Sequence, residues 1–125
     1  RAGGAARGVV KLPNVAQAAV PERKITAYLL SLTHRDGRSK AIFFLRFGFT
    51  PDHWEALADA LRRHALDNDV AECEDTPFGT SYAIEGPLLA PDNRSPQVRV
   101  VWFIETGEQI PRLVTAYPLK GAHDD

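Results

Sequence analysis

The stretch from residue 34 to residue 40 concentrates side chains that can bind an anion. It reads His-Arg-Asp-Gly-Arg-Ser-Lys and contains four groups that can be cationic: His34, Arg35, Arg38 and Lys40. We call this stretch the basic turn. Its Asp-Gly-Arg-Ser centre is typical of turns that begin a helix, where backbone N–H groups favour negative charge. Two interpretations stay open, an anion site or a charged turn whose side chains face water.

A second set of candidate residues lies in the stretch 112–118, Arg-Leu-Val-Thr-Ala-Tyr-Pro. Because side chains alternate along a strand, we expect Thr115 and Tyr117 on one face together with Leu113. Arg112 then points to the other face unless the strand bulges. Tyr117 is either a core aromatic whose hydroxyl is satisfied at the sheet edge or a hydrogen-bond donor to a ligand.

The motifs of nucleotide-dependent and zinc-dependent chemistry are missing from the sequence. It has no phosphate-cradling Gly-Lys-Ser/Thr loop, no dinucleotide glycine fingerprint, no His-Glu-x-x-His and no pair of cysteines. Five acids gather without the regular spacing of a metal loop, at Asp67, Asp69, Glu72, Glu74 and Asp75. We interpret them as a solvated acidic edge that could face a partner. The sequence thus predicts no cofactor and no metal site.

Three helices are predicted in the first half of the chain. Pro21 suits a first helical position, and apolar residues at i, i+3, i+4 and i+7 carry the first helix to its predicted end: Ile25, Tyr28, Leu29 and Leu32. The second helix follows the basic turn and has so many apolar residues that we expect it to be buried nearly all round. The third has Thr50 as N-cap and Pro51 in its first turn, and His64 near its end, where the helix dipole favours an imidazolium.

After residue 69 the apolar period changes from helical to extended. Four strands are predicted, at about residues 69–74, 79–86, 97–105 and 111–118. The third is apolar on both faces at its centre, which indicates an interior strand. The predicted fold class is therefore α+β, with about three N-terminal helices packed on a C-terminal antiparallel sheet of about four strands.

Length and composition predict one small domain. The chain has 125 residues, of which 44% are hydrophobic, enough for a core without disulfides. We expect residues 1–10 to be a linker or flexible start, 11–120 the domain and 121–125 a tail. The single cysteine, Cys73, is interpreted as a small, partly buried hydrophobe. We expect a monomer with no membrane segment, since no apolar run is long enough to span a bilayer.

The net charge leads to an expectation about anion binding, and the start of the chain leads to one about its origin. A net charge of −1 creates no general field toward nucleic acid or membranes, so any anion binding must be local. The chain contains no methionine and begins at Arg1. We expect a processed start and an origin on the C-terminal side of a larger protein.

Several short stretches together resemble a bacterial family of small uncharacterised domains that often lie at the C-termini of larger proteins. They are Lys-Leu-Pro-Asn at 11–14, Tyr-Leu-Leu at 28–30, the basic turn with Ala41, Phe-Phe at 43–44 and Gly-Phe at 48–49. The resemblance runs from Lys11 to Pro118. The closing stretch 112–118 is also similar to the last strand of many toxin nucleases in the barnase/EndoU/colicin/RelE superfamily.

The second resemblance implies metal-independent RNA cleavage by the toxin module of a larger secreted bacterial effector. In this reaction a ribose 2′-hydroxyl attacks the adjacent phosphate and leaves a 2′,3′-cyclic end. The resemblance also implies a cognate immunity protein and action in the cytoplasm of the target cell. A domain without excess positive charge suits one RNA target, such as a tRNA, better than general RNA binding.

The same resemblance implies roles for the candidate residues. The catalytic candidates are His34, Lys40, Thr115 and Tyr117, and the substrate-binding candidates are Arg38, Arg35 and Arg112. Imidazole titrates near neutral pH, which makes His34 the first candidate for general base or acid. Lys40 and Arg38 would hold the phosphate, with Thr115 and Tyr117 on the sheet opposite.

The alternative is a non-catalytic protein-interaction domain. The basic turn and the acidic edge would then bind a protein partner, and the final Tyr-Pro would only end the sheet. The two hypotheses predict different geometry. A nuclease needs His34 or Lys40 and Tyr117 to converge within reach of one phosphate, and a first helix and last strand on opposite faces would exclude it.

Overall fold

The computed structural model describes residues 10–119. Helices come first and an antiparallel sheet second, which confirms the predicted α+β class. The predicted tail at 121–125 and all but the last residue of the predicted linker lie outside the described residues. Within the described stretch, no helix is long and apolar enough to cross a membrane.

Within residues 10–119, a 3-10 turn (Val15–Gln17) comes first and three helices then precede the sheet. The helices are α1 (Glu22–Lys24), which continues as a π-helical turn (Ile25–Leu29), α2 (Arg38–Arg46) and α3 (Trp54–Asp67). The first ends earlier than predicted, and Leu32 is 52% exposed. The prediction of a nearly buried α2 is also wrong, because Ile42 is 44% exposed while Phe43 and Phe44 are buried.

The third helix begins differently from the prediction. Pro51 opens a 3-10 turn (Pro51–His53) that leads into α3, a common form for a helix start. Thr50 precedes it in an extended conformation, but its side chain makes no capping hydrogen bond. The position of the start is therefore as predicted, and the capping interaction is absent.

Four strands form a meander in the order β1 (Val70–Thr76), β2 (Gly79–Pro87), β3 (Gln97–Glu105) and β4 (Arg112–Pro118). All four lie close to their predicted ranges. The third strand is interior, between β2 and β4, which confirms the interpretation of its two apolar faces.

The helices cover one face of the sheet and enclose the core. Trp102 is fully buried at its centre, with Ile25, Leu29, Phe44 and Leu61 from the helices in the same cluster. The alternate side chains of the strands form the other face, which is mostly polar or half-buried. We call it the open face: Glu72, Glu74, Ser81, Glu85, Arg99, Val101, Phe103, Arg112, Thr115 and Tyr117.

A β-bulge in β4 decides which of its residues reach the open face. Thr115 pairs with Val101, but Leu113 pairs with the next residue along β3, so Val114 is extra. Leu113 therefore faces the core, and the prediction that it shares a face with Thr115 is wrong.

The same bulge also decides the direction of Arg112, which was predicted to share a face with Thr115 and Tyr117 only if the strand bulges. Arg112 pairs with Phe103, whose side chain lies on the open face, so the guanidinium returns to the side of Thr115 and Tyr117. Without the extra residue in β4, alternation would have turned Arg112 toward the helices. The bulge thus brings all three candidate residues of β4 to one side of the sheet.

The segment before α1 is attached to β4. Ala19 forms a parallel bridge with Arg112: its N–H donates to the Pro111 carbonyl at 2.8 Å, and its carbonyl accepts from the Leu113 N–H at 3.1 Å. This pairing places the start of α1, with Pro21 and Lys24, beside the beginning of β4. The first helix and the last strand are therefore neighbours, not on opposite faces.

Candidate functional site

Polar side chains gather where α1, the basic turn and β4 meet. The Tyr28 hydroxyl lies 3.0 Å from Thr115 Oγ1. The His34 ring packs edge-on against the Tyr28 ring, with centroids 4.9 Å apart. The ammonium nitrogens of Lys24 and Lys40 lie 5.2 Å and 5.5 Å from the centre of the same ring, within the range of cation–π attraction. We call these five residues the Tyr28 cluster.

The hydrogen bonds of His34 define how its ring can act. Its Nδ1 accepts the backbone N–H groups of Asp36 and Gly37, each at 3.0 Å. A ring nitrogen that accepts carries no proton, so the proton of the neutral ring lies on Nε2. In this arrangement His34 can donate a hydrogen bond to an anion through Nε2. It does not present a free lone pair for removing a proton.

The basic turn is packed tightly on Tyr28. A Cβ at Gly37 would lie 2.2 Å from the Tyr28 carbonyl oxygen and 3.0 Å from its Cδ1 atom, so only glycine allows this approach. Lys40 Nζ donates to the Asp36 carbonyl at 3.1 Å, which ties the start of α2 to the turn. The Asp-Gly pair that indicated a turn in the sequence therefore also positions His34 and Lys40 around the tyrosine.

An open cavity of about 550 Å³ borders the cluster. It is lined by Pro21, Arg23, Lys24, Ala27, Tyr28 and His34. Among residues 10–119, Arg23, Lys24 and Lys40 form no ion pair with a carboxylate. Positive charge that no internal acid neutralises is available at the mouth of this cavity, and such a site favours a phosphate group.

The structure joins three of the four predicted catalytic residues and leaves the fourth apart. His34, Lys40 and Thr115 all meet around Tyr28. Tyr117 is on the same face as Thr115, but it pairs across the strands with Arg99 and lines a smaller cavity of about 110 Å³.

The predicted substrate-binding arginines lie at the margins of the cluster. Arg35 and Arg38 are exposed in the basic turn and at the start of α2. Arg112 lines a further cavity that also contains Lys24, and its closest carboxylate among the described residues is Glu105, at 4.0 Å. None of the three contacts Tyr28 as His34 and Thr115 do.

Comparison with known proteins identifies the family. A family model matches residues 11–120, nearly the whole chain. The chain belongs to the family described as "Domain of unknown function (DUF6883)". No curated protein sequence matches it at a significant level.

The fold of this DUF6883 domain also occurs in a solved structure. It is similar to a chain of the "Contact-dependent growth inhibition toxin - immunity protein complex" from Klebsiella pneumoniae 342, with a TM-score of 0.66 and 16% sequence identity. The alignment covers 83% of the DUF6883 domain and 95% of that chain. At this identity the likeness shows a common fold.

Two members of the Tyr28 cluster were missed by sequence reasoning. Tyr28 fitted the apolar spacing of the first helix and was counted with its core positions, although it is only half-buried. Lys24 lies four residues before it, so both side chains share one helix face. That spacing was the available signal, but only the contact with β4 shows that the tyrosine hydroxyl meets a strand.

Arg99 is a third residue that sequence reasoning did not single out. Its guanidinium bonds to Glu85 Oε2 at 2.5 Å and to Glu72 Oε1, and these carboxylates raise the pKa of the Arg99 guanidinium above its ordinary value. Tyr117 is its partner on β4. We call these four residues the Arg99 row.

Within residues 10–119, no three His, Cys, Asp or Glu side chains gather to hold a metal ion.

Two remaining sequence interpretations are wrong. His64 is 2% exposed, its Nε2 lies 3.2 Å from the Gly86 carbonyl oxygen, and burial lowers its pKa, so it is a neutral core residue and not an exposed imidazolium. Cys73 is exposed on the edge strand β1, although we expected it to be partly buried. In both cases tertiary packing decided the exposure.

Proposed function

We propose that this DUF6883 domain is a metal-independent RNA endonuclease, the toxin module of a larger bacterial effector. The observation that carries the proposal is the Tyr28 cluster, in which two lysines, a histidine and a threonine hydroxyl meet around one tyrosine. Tyr28, Lys24 and His34 of this cluster line an open cavity. The fold shared with a chain of a toxin–immunity protein complex supports the same class of protein.

The reaction needs groups of the kind found in the cluster. The ribose 2′-oxygen forms a bond to phosphorus, the bond to the 5′-oxygen breaks, and the products are a 2′,3′-cyclic phosphate and a 5′-hydroxyl. Positive charge must stabilise the phosphorane, and protons must leave the 2′-oxygen and reach the 5′-oxygen. In our proposal Lys24 and Lys40 supply the charge, and His34 Nε2–H donates to a non-bridging oxygen. Solvent water takes the proton from the 2′-oxygen, because the Nδ1 lone pair of His34 already accepts backbone N–H groups.

The two hydroxyls of the cluster serve as donors on the sheet side. Because Tyr28 and Thr115 share one hydrogen bond, one hydroxyl proton is left to point at the phosphate. Tyr117 lies on the same face as Thr115 but lines the neighbouring cavity of the Arg99 row. It stays the predicted donor to the leaving oxygen, which requires the 5′ side of the substrate to extend from the Tyr28 cluster toward that cavity. Arg38, Arg35 and Arg112 would bind flanking phosphates from the margins of the cluster.

The partners follow from the same proposal. Cations concentrated at one cavity of a domain with net charge −1 favour a defined RNA, such as a tRNA, over general RNA binding. A cognate immunity protein would bind the domain in the producing cell. The effector would be secreted, and the domain would act in the cytoplasm of the target cell.

The test is incubation of the purified domain with total RNA and defined tRNAs in EDTA. We expect cleavage with 2′,3′-cyclic ends, detected by mass spectrometry. His34→Ala, Tyr28→Phe and Tyr117→Phe should each reduce the rate about 100-fold or more, the usual effect of removing one acid–base or donor group. Arg63→Ala is the matched control, since Arg63 is an exposed cation of α3 paired with Asp67.

One result would count against the nuclease function, and another would count against the assigned site. Intact RNA at high protein concentration would favour the non-catalytic protein-interaction domain. Cleavage that persists unchanged in the His34, Tyr28 and Tyr117 variants would show that the Tyr28 cluster is not the site.

A further inference from the structure

A second cavity adjoins the Tyr28 cluster on the side of β4. It has a volume of about 260 Å³ and is lined by Pro21, Lys24, Phe103, Arg112, Leu113 and Val114. Pro21 and Lys24 also line the larger cavity beside Tyr28, so the two cavities share one wall. Lys24 therefore belongs to both.

Two features of the fold build this cavity. The parallel bridge between Ala19 and Arg112 brings the start of α1 to β4. The bulge at Val114 turns Arg112 to the side of its cross-strand partner Phe103. The aromatic ring of Phe103 and the guanidinium of Arg112 thus belong to neighbouring strand positions, and Lys24 of α1 lines the same cavity.

The ring and the guanidinium differ in how firmly they are held. The Phe103 ring rests on Gly79, where an added Cβ would lie 2.7 Å from Phe103 Cζ, so the ring is fixed by close packing. Arg112 lies 4.0 Å from Glu105, and both side chains are more than half exposed. An ion pair of that kind contributes little, which leaves Arg112 available for another anion.

We propose that this cavity binds the nucleotide next to the scissile phosphate in an RNA chain, with the base against Phe103 and its phosphate on Arg112. The inference rests on the proposed function of the Tyr28 cluster. Aromatic rings beside cations are the usual platform for single-stranded nucleic acid, because every base has a face that can stack. Lys24 lies between two successive phosphates of such a chain.

Substrate length provides the test. A dinucleoside monophosphate has only the scissile phosphate, whereas a trinucleotide adds a second phosphate and base that can occupy the cavity. We compare kcat/KM for the two substrates in wild type, Arg112→Ala, Phe103→Leu and the control Arg63→Ala. The trinucleotide should be the better substrate of the wild type, and its advantage should fall about tenfold in Arg112→Ala and severalfold in Phe103→Leu.

The outcomes separate this inference from the proposed function. If the wild type cleaves RNA and both variants keep the full trinucleotide advantage, the cavity is not a subsite and the nuclease stands. An equal loss in Arg63→Ala would also overturn the subsite, because any surface cation would then have the same effect. If the wild type cleaves neither substrate nor tRNA, the proposed function fails and the subsite fails with it.

Discussion

The Tyr28 cluster and the Arg99 row contain similar residue types, but they differ in whether their cations are paired with carboxylates of the domain. Both place cations and a tyrosine beside β4. In the Arg99 row the guanidinium is satisfied by two carboxylates of the domain itself. In the Tyr28 cluster, Lys24 and Lys40 have no carboxylate partner among the described residues and contact an aromatic ring instead.

The difference shows which region can bind an anion. A phosphate entering the Arg99 row would have to compete with Glu72 and Glu85, and it would meet their negative charge. A phosphate entering the Tyr28 cluster would meet two lysines that have no carboxylate partner among the described residues, together with hydrogen-bond donors. Candidate residues are thus better judged by what their charges already contact than by residue type.

The largest expected effect comes from removing the positive charge of the Tyr28 cluster. Replacing Lys24 and Lys40 together by Ala should lower the rate of RNA cleavage by about 1,000-fold or more, since electrostatic stabilisation of the transition state by two charges is lost. Single-turnover kinetics in EDTA measure this effect. Arg99→Ala is the comparison variant, and a loss as large as that of the double variant would reverse the assignment of the two regions.

A smaller effect concerns stability in acid and must be known before pH profiles of the Tyr28 cluster are interpreted. Burial keeps the pKa of His64 in the folded state below its value in the unfolded chain, near 6.5. Below that pH the unfolded chain takes up the proton more readily, so the free energy of unfolding should decrease as pH falls from about 6.5 toward the folded pKa. Above that range His64 makes no pH-dependent contribution.

Urea denaturation at pH 7.5, 6.5 and 5.5 measures this slope. The variant His64→Gln can still donate to the Gly86 carbonyl but does not titrate, so its slope should be flatter. Equal slopes in the two proteins would show that His64 is not the group responsible.

The smallest effect is expected from substitutions that make the Arg99 row resemble the Tyr28 cluster by removing its negative charges. Changing Glu72 and Glu85 to Gln frees Arg99 while keeping the side-chain shapes. Affinity for a non-cleavable 2′-deoxy oligonucleotide should rise severalfold at low salt, and the salt dependence should steepen by about one phosphate contact. Fluorescence anisotropy over a salt series measures both quantities, and an unchanged slope would mean that Arg99 stays out of reach of the nucleic acid.

Local pattern was sufficient for the order and the approximate ranges of the helices and strands of this protein, but not for where the first helix ends. The change from helical to alternating period separated the three helices from the four strands, and the apolar centre of residues 97–105 indicated the interior strand. These features depend on near neighbours in the chain, so a sequence can encode them without knowledge of the fold. The Asp-Gly pair likewise marked the turn that now holds His34 and Lys40.

Only the tertiary structure decided which side chains meet. Tyr28 and Thr115 are 87 residues apart in sequence, and their contact depends on the pairing of Ala19 with β4 and on the packing of Gly37 in the basic turn against Tyr28. The bulge at Val114 reversed the faces of Leu113 and Arg112, because one extra residue shifts the alternation of a strand. Strand register, bulges and burial arise from contacts between distant segments, and for this reason the sequence alone did not determine them.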